Sequence, residues 1–194
     1  VFPDSRTVLS IDCALVVKRG DHSVVNMNDS LYDGAQVSAI RDYCGDQPTI
    51  GLLAYTGAGP YPQTYDMEPA LLVRRAEEKK QQFFERYKKM REALNPQVTI
   101  PFAGQYLLGG KLHELNPYRG TADAVEVTRF DRTAVVLREH GEGTINTENL
   151  RAEGVRTVPY DIDAMNSYAA SLADRPMDYE RYFGDTPAVA LPLG

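Results

Sequence analysis

The chain has 194 residues, which suits one domain or a large part of one, and 43% of them are apolar while 25% are charged. This composition is close to that of an ordinary globular protein, so it argues against intrinsic disorder and leaves enough apolar material for a core. The net charge of -6, with acidic and basic residues mixed along the chain, argues against a broad nucleic-acid-binding surface.

The pattern of apolar residues alternates between strand and helix along the chain. It predicts strands at 14–18 and 23–27, a helix between Asp33 and Gly45, a strand at 49–56, a helix at 70–94, a strand at 98–102, a loop with a helical turn at 109–120, a strand-like segment at 134–137 and a last helix ending at 173. Such alternation is typical of an α/β protein, in which helices pack on a sheet.

Several local signals refine these elements. Asp33 can cap the first helix, and Gln36 three residues later can complete a reciprocal capping box. On the long helix, Glu85 and Lys89 have the spacing of an ion pair on the exposed side. The run 49–56 is continuously apolar, which predicts a strand that is covered on both faces of the sheet.

The cysteine content predicts a reducing environment. The hydropathy predicts no membrane-spanning segment. Cys13 and Cys44 are too few for a disulfide scaffold and form no CxxC zinc pair. No apolar run reaches the roughly 18 residues of a membrane span, and no signal peptide is visible. We therefore expect a cytoplasmic protein with two free thiols. The first residue is Val1 rather than methionine, which favours a processed or truncated start.

The segment from Val24 to Asp29 is the strongest candidate for a functional site. A carboxylate that directly follows a strand lies at an edge of the sheet, where α/β proteins tend to bind ligands, and it can bind metal ions. The alternative is that Asn28 and Asp29 only form the turn into the next helix. Tyr61 and Tyr106 lie in glycine-containing loops, and they can bind substrate if these loops line one mouth.

Three segments, taken in order, resemble the metallo-β-lactamase-fold superfamily. VVNMNDSLYD is similar to the strand that ends in the family's aspartate, in the branch that includes the CMP-N-acetylneuraminate hydroxylase-like proteins. LLAYTGAGPYPQTYD and IPFAGQYLL resemble two later segments of that branch, and the long helix lies between them. Together they span about Ser10 to Leu108. The resemblance implies that residues 1–194 are one domain or half-domain, the second half of an αββα sandwich. The tail at 174–194 is rich in Pro, Tyr and Gly, and we expect it to wrap the surface.

The resemblance also implies a metal-dependent hydrolase or a hydroxylase-family relative. Asp29 would be the metal-bridging carboxylate for zinc or iron, ions that lower the pKa of a bound water. The first-half signature His-X-His-X-Asp-His is absent. Where a later family histidine is expected, the chain has Gly110, and His113 can serve only if the loop shifts. Asn28, Tyr61 and Tyr106 would contact a small-molecule substrate.

The missing histidines leave two hypotheses open. In the first, the N-terminal half of the same fold, or another chain, supplies them and completes the metal site. In the second, the chain is a non-catalytic binding or structural module with a degenerate metal site. Half a sandwich would expose a large apolar sheet face, and isolated proteins rarely do so. Neither hypothesis involves nucleic acid or a membrane.

Overall fold

The computed structural model describes residues 2–3, 13–27, 29–30, 32–139, 143–176 and Tyr182. Its strands are β1 (Phe2–Pro3), β2 (Cys13–Arg19), β3 (His22–Asn26), β4 (Ile50–Ala54), β5 (Val98–Phe102), β6 (Thr144–Ile145) and β7 (Ala152–Glu153). Its helices are α1 (Gly34–Cys44), α2 (Pro69–Leu94), α3 (Ala124–Val127) and α4 (Ile162–Ala170), with a 3-10 helix at Gly110–Tyr118. The predicted α/β class is confirmed.

The main sheet is mixed and has the strand order β1-β2-β3-β4-β5. β2 pairs antiparallel with β1 and β3, whereas β3, β4 and β5 are parallel to one another. Parallel neighbours joined through a helix are almost always right-handed crossovers. Because β3, β4 and β5 follow one another in space as in sequence, successive crossovers place α1 and α2 on the same face of the sheet.

The face beneath α1 and α2 carries the core. Val25 of β3 and Leu53 of β4 are fully buried in one apolar cluster with Ile40 of α1 and with Tyr87 and Leu94 of α2. Burial of an apolar side chain of this size contributes about 1.5–3 kcal/mol. This cluster therefore holds the helices against the sheet and fixes where the strand ends lie.

The opposite face of the sheet is apolar and partly open to solvent. Strand register and side-chain alternation place Leu15, Val17, Leu52 and Phe102 on this face. Leu15 is 47% exposed and Val17 is 60% exposed, and Leu52 is half-buried. The prediction that β4 is covered on both faces is therefore wrong in part, because α1 and α2 cover one face, whereas on the other face Ile50 is buried and Leu52 is only half-buried.

The start of α1 differs from its predicted capping box. Asp33 caps the helix, since its Oδ1 accepts from Ala35 N at 2.9 Å and from Gln36 N at 3.4 Å. The Gln36 side chain does not return to the cap; its Nε2 donates to Phe2 O over 2.9 Å. The tertiary contact with β1 therefore takes the place of the local reciprocal bond.

The strand-like segment predicted at 134–137 is not a continuous strand. Ala134 and Leu137 take part in isolated bridges, to Thr99 and Val155 respectively, and not in a continuous ladder. Two short strands that the apolar pattern does not predict, β6 and β7, pair with each other further along the chain. Elements of two residues carry too little periodicity to be recognised.

The chain divides into two compact units. The first comprises residues 1–106 and 117–160 and contains the main sheet, the first three helices and the β6–β7 pair. The second comprises residues 107–116 and 161–194 and contains α4. Within the second unit, the Asn116 side chain bonds both backbone groups of Leu108, at 2.9 and 2.8 Å. The expected tail at 174–194 lies largely outside the described residues.

Candidate functional site

Asp29 lies at the sheet edge where the three parallel strands end. Met27 N donates to Leu52 O over 3.1 Å, which extends the β3–β4 pairing beyond the last residue of β3. Ser30 N then donates to Met27 O over 2.9 Å, closing a turn in which Asp29 is exposed. The chain thus presents the Asp29 carboxylate at the carboxyl edge of the sheet, as the sequence predicts.

Asp29 does not cap the helix that follows it. Asp33 performs that role with its own carboxylate. Asp29 makes no hydrogen bond or ion pair with another residue of the described part of the chain. Asn28, the expected substrate contact beside it, lies outside the described residues. The Asp29 carboxylate is therefore available to a ligand rather than used in capping.

A cavity of about 370 Å³ opens beside Asp29, between the strand ends and α2. We call it the Asp29 cavity. Ser30 and Thr56 line it from the strand ends, while Phe83 and Met90 line it from α2. Its volume lies within the range of small-molecule binding sites. The sheet edge and the helix together therefore form a recess of the size that a small ligand needs.

Two buried hydroxyl groups in the wall of the Asp29 cavity lack partners. Ser30 is 8% exposed and Thr56 is 3% exposed. Among the described residues, neither Ser30 Oγ nor Thr56 Oγ1 has a hydrogen-bond partner. Leaving a buried polar group unsatisfied costs about 1–3 kcal/mol. A ligand with acceptor oxygens in the cavity can remove this cost.

Two cations from α2 also line the Asp29 cavity. Lys89 Nζ lies 4.2 Å from the centroid of the Tyr32 ring, and Arg86 Cζ lies 5.1 Å from that of Phe83. The predicted Glu85–Lys89 pair is wrong, because Glu85 instead accepts from Lys88 Nζ at 2.7 Å. Lys89 instead lies over the Tyr32 ring and lines the cavity. The sequence pattern places Lys89 in an ion pair on the exposed side of this helix and indicates neither cation as a cavity residue.

The described residues alone do not fit a zinc or iron ion. Within the described part of the chain, no group of three or more His, Cys, Asp or Glu side chains is placed to hold a metal. His113 lies in the second unit, where its Nδ1 is 3.0 Å from Gly110 O. His22 begins β3 and so lies at the opposite end of that strand from Asp29. Zinc and iron sites need three or four protein ligands, and the cavity offers the single carboxylate of Asp29.

Tyr61 and Tyr106 belong to a loop cluster rather than to the described lining of the Asp29 cavity. Gln63 Nε2 donates to Tyr106 Oη over 3.0 Å, and the buried Lys79 Nζ donates to Tyr61 O over 2.8 Å. Burial and repulsion from Arg119 lower the pKa of Lys79. These bonds give the cluster a structural role, and a substrate contact by either tyrosine stays a prediction.

Tyr55 joins the ends of two parallel strands. It follows β4, and Gln105 N, just after β5, donates to its Oη over 3.3 Å. Burial raises the pKa of Tyr55 to about 12. The phenol is therefore neutral at physiological pH and acts here as a tie between strand ends.

A larger and more open depression of about 780 Å³ lies at the other end of β3, around the hairpin turn. Arg19, Asp21, His22 and Glu148 line it. None of the residues described in its wall has a buried side-chain N or O atom without a partner. The Asp29 cavity is therefore the better candidate, because it alone of the two combines the carboxyl edge with unmet polar groups.

Comparison with protein-family models, curated proteins and solved structures finds no match to this chain. Among the described residues, no helix is both long and apolar enough to cross a bilayer.

Proposed function

We propose that this chain is the ligand-binding half of a metal-dependent hydrolase-like protein with an αββα sandwich, in which Asp29 supplies one carboxylate ligand to zinc or iron. The observation that carries the proposal is the place of Asp29. Its carboxylate is exposed at the carboxyl edge of three parallel strands, on the wall of a cavity, without a partner among the described residues. Ligand sites of open α/β sheets are typically found at this edge.

The partly exposed sheet face of the described residues supports the sandwich. An αββα sandwich places a helical layer outside each of two sheets, which pack face to face. Here α1 and α2 cover one face, and apolar side chains such as Leu15 and Val17 are exposed on the other. Large exposed apolar surfaces mark interaction sites. We propose that a second sheet, from the N-terminal half of the same fold or from another chain, packs on this face.

The same arrangement would account for the missing ligands. A structural or catalytic metal site needs more than one carboxylate, and histidine is a common partner for zinc and iron. A sheet packed beside Leu15 and Val17 brings new residues to the edge where Asp29 lies. The proposal therefore assigns the histidine ligands to residues outside the described part of this chain.

Replacing Asp29 by asparagine should remove the metal. In the full natural gene product we expect near-stoichiometric zinc or iron, and at least about tenfold less in Asp29→Asn, because loss of a direct ligand exceeds the effect of disturbing its supporting residues. Metal content by plasma mass spectrometry measures this. Asp42→Asn, an equal charge change on the exposed side of α1, is the matched control and should retain the metal.

Two outcomes contradict the proposal. One is a full natural product that contains no zinc or iron, and the other is an Asp29→Asn variant that keeps its metal. A metal-free protein that still binds a small molecule in the Asp29 cavity would support the second candidate, a non-catalytic binding module. The cations and unmet hydroxyls of the cavity wall can bind a ligand with or without a metal, so they are compatible with that alternative as well.

A further inference from the structure

We infer that the Asp29 cavity binds a small phosphomonoester, and that Arg86 and Lys89 recognise its phosphate group. This inference deepens the proposed function and rests on it, since Asp29 lies on the same cavity. It adds the chemical class of the ligand and the residues that select it.

The charges around the Asp29 cavity favour a dianion. Arg86 and Lys89 are three residues apart on α2 and therefore share one side of the helix. Neither makes an ion pair within 4.0 Å with a carboxylate of the described residues. Asp29 is the one acidic residue in the described lining, so the two cations leave a net positive charge. A phosphomonoester carries a charge of about -1.5 to -2 at neutral pH, whereas a carboxylate carries about -1.

The unmet hydroxyls favour a ligand with several acceptor oxygens. Ser30 Oγ and Thr56 Oγ1 are out of contact with solvent and have no partner among the described residues. A phosphate group offers three strong acceptor oxygens, enough for both hydroxyls and the two cations. Small side-chain rotations that direct these hydroxyls at the ligand would exchange two unsatisfied groups for charge-assisted hydrogen bonds.

The rest of the cavity wall is apolar and partly aromatic. Phe83 and Tyr32 each carry a cation against the ring, and Met27 and Met90 complete the wall. Such walls suit the organic part of an ester better than they suit a free inorganic ion. The ligand that fits is therefore a compact phosphomonoester with an apolar or aromatic body, for which phenyl phosphate is a suitable probe.

Calorimetric titration of the full natural gene product with phenyl phosphate tests the inference. We expect a Kd of about 1 mM or tighter. The Arg86→Gln/Lys89→Gln variant should bind at least about tenfold more weakly, because both charge-assisted contacts are lost. The control Arg74→Gln/Lys88→Gln removes the same charge from the same helix, away from the described lining, and should bind within about twofold of the unmodified protein.

A second variant tests the hydroxyls without changing the charge. Ser30→Ala/Thr56→Val should weaken phenyl phosphate binding by about tenfold, since it removes two donors to the phosphate. Circular dichroism of each variant checks that the fold is intact. Unchanged affinity in either cavity variant, or no binding by the unmodified protein, would overturn the inference.

Two further ligands separate the chemical classes. Phenylacetate carries a carboxylate, and inorganic phosphate lacks the organic body; both should bind more weakly than phenyl phosphate, and equal binding of either would overturn the assignment. The metal content of the variants distinguishes a failure of this inference from a failure of the proposed function. The Arg86→Gln/Lys89→Gln variant should keep its metal, whereas Asp29→Asn should lose it.

Discussion

Replacing Asp131 by asparagine lowers the free energy of unfolding by about 3 kcal/mol at pH 7. Asp131 is 4% exposed. Its Oδ2 accepts from Tyr87 Oη at 2.7 Å and from Thr99 Oγ1 at 2.6 Å, and its Oδ1 accepts from Thr133 N and Oγ1 at 2.9 and 2.7 Å. A neutral asparagine amide has one acceptor oxygen in place of two, so the charge-assisted character of these bonds is lost. The ion pair of Oδ1 with Arg91 Nε, 3.6 Å away, is lost as well.

The effect of Asp131→Asn should depend on pH. Burial raises the pKa of Asp131, but the hydrogen bonds from Thr99, Thr133 and Tyr87 outweigh it and hold the pKa below its usual value. A depressed pKa in the folded state means that the stabilisation is fully present above the unfolded pKa of about 3.9 and is lost as the pH falls through the folded pKa. The difference in free energy of unfolding between the unmodified protein and Asp131→Asn should therefore shrink below about pH 4.

Urea denaturation at pH 7 and below about pH 4 measures both expectations for Asp131. Asp42→Asn on the exposed side of α1 should change stability by less than about 0.5 kcal/mol. An Asp131→Asn variant as stable as the control at pH 7 would show that this carboxylate does not hold α2 and β5 together.

The second large effect is expected at Gly120, whose backbone lies against α2. Gly120 has φ +63°, and a Cβ built there would be 2.5 Å from Ala76 O and 3.0 Å from Ala76 Cα. These are helix backbone atoms, which cannot move aside. Lys79 Nζ donates to the preceding Arg119 O over 2.9 Å and holds the loop in place. We expect Gly120→Ala to destabilise the protein by about 3 kcal/mol, the sum of backbone strain and overpacking.

Gly20→Ala is the matched control for Gly120→Ala. Gly20 has φ +57°, but a Cβ there would have no heavy atom within 4 Å. This variant therefore has the backbone strain but no steric clash, and its free energy of unfolding should be about 1 kcal/mol lower than that of the unmodified protein. Denaturant midpoints of the two variants give the comparison. Equal losses of stability in the two variants would mean that the close approach of Gly120 to α2 contributes nothing to the effect of Gly120→Ala.

The main elements of the first unit were predictable because their signals are local and long. α2 repeats its apolar positions over 26 residues, and β4 and β5 are compact apolar runs. The position of Asp29 was predictable for the same reason, since a residue that directly follows a strand must lie at a sheet edge. The short β6 and β7 carry no such signal.

The cavity wall could not be predicted, because it depends on which loop meets which helix face. Helical periodicity places Arg86 and Lys89 on the exposed side of α2, but only the fold brings Tyr32 and Thr56 to the same cavity. Gln36 shows the same limit, since its predicted cap bond loses to a tertiary bond with Phe2 O. Contacts between segments that are distant in sequence determine both the cavity lining and the hydrogen bond of Gln36.

The central claim, that Asp29 is a metal ligand at the carboxyl edge of the sheet, is tested most directly by anomalous X-ray diffraction. Crystals of the full natural gene product would be measured at the zinc and iron absorption edges. We expect an anomalous peak about 2.0–2.2 Å from a carboxylate oxygen of Asp29, with histidine nitrogens from outside the described residues around it. A metal peak remote from Asp29, or none at either edge, would contradict it.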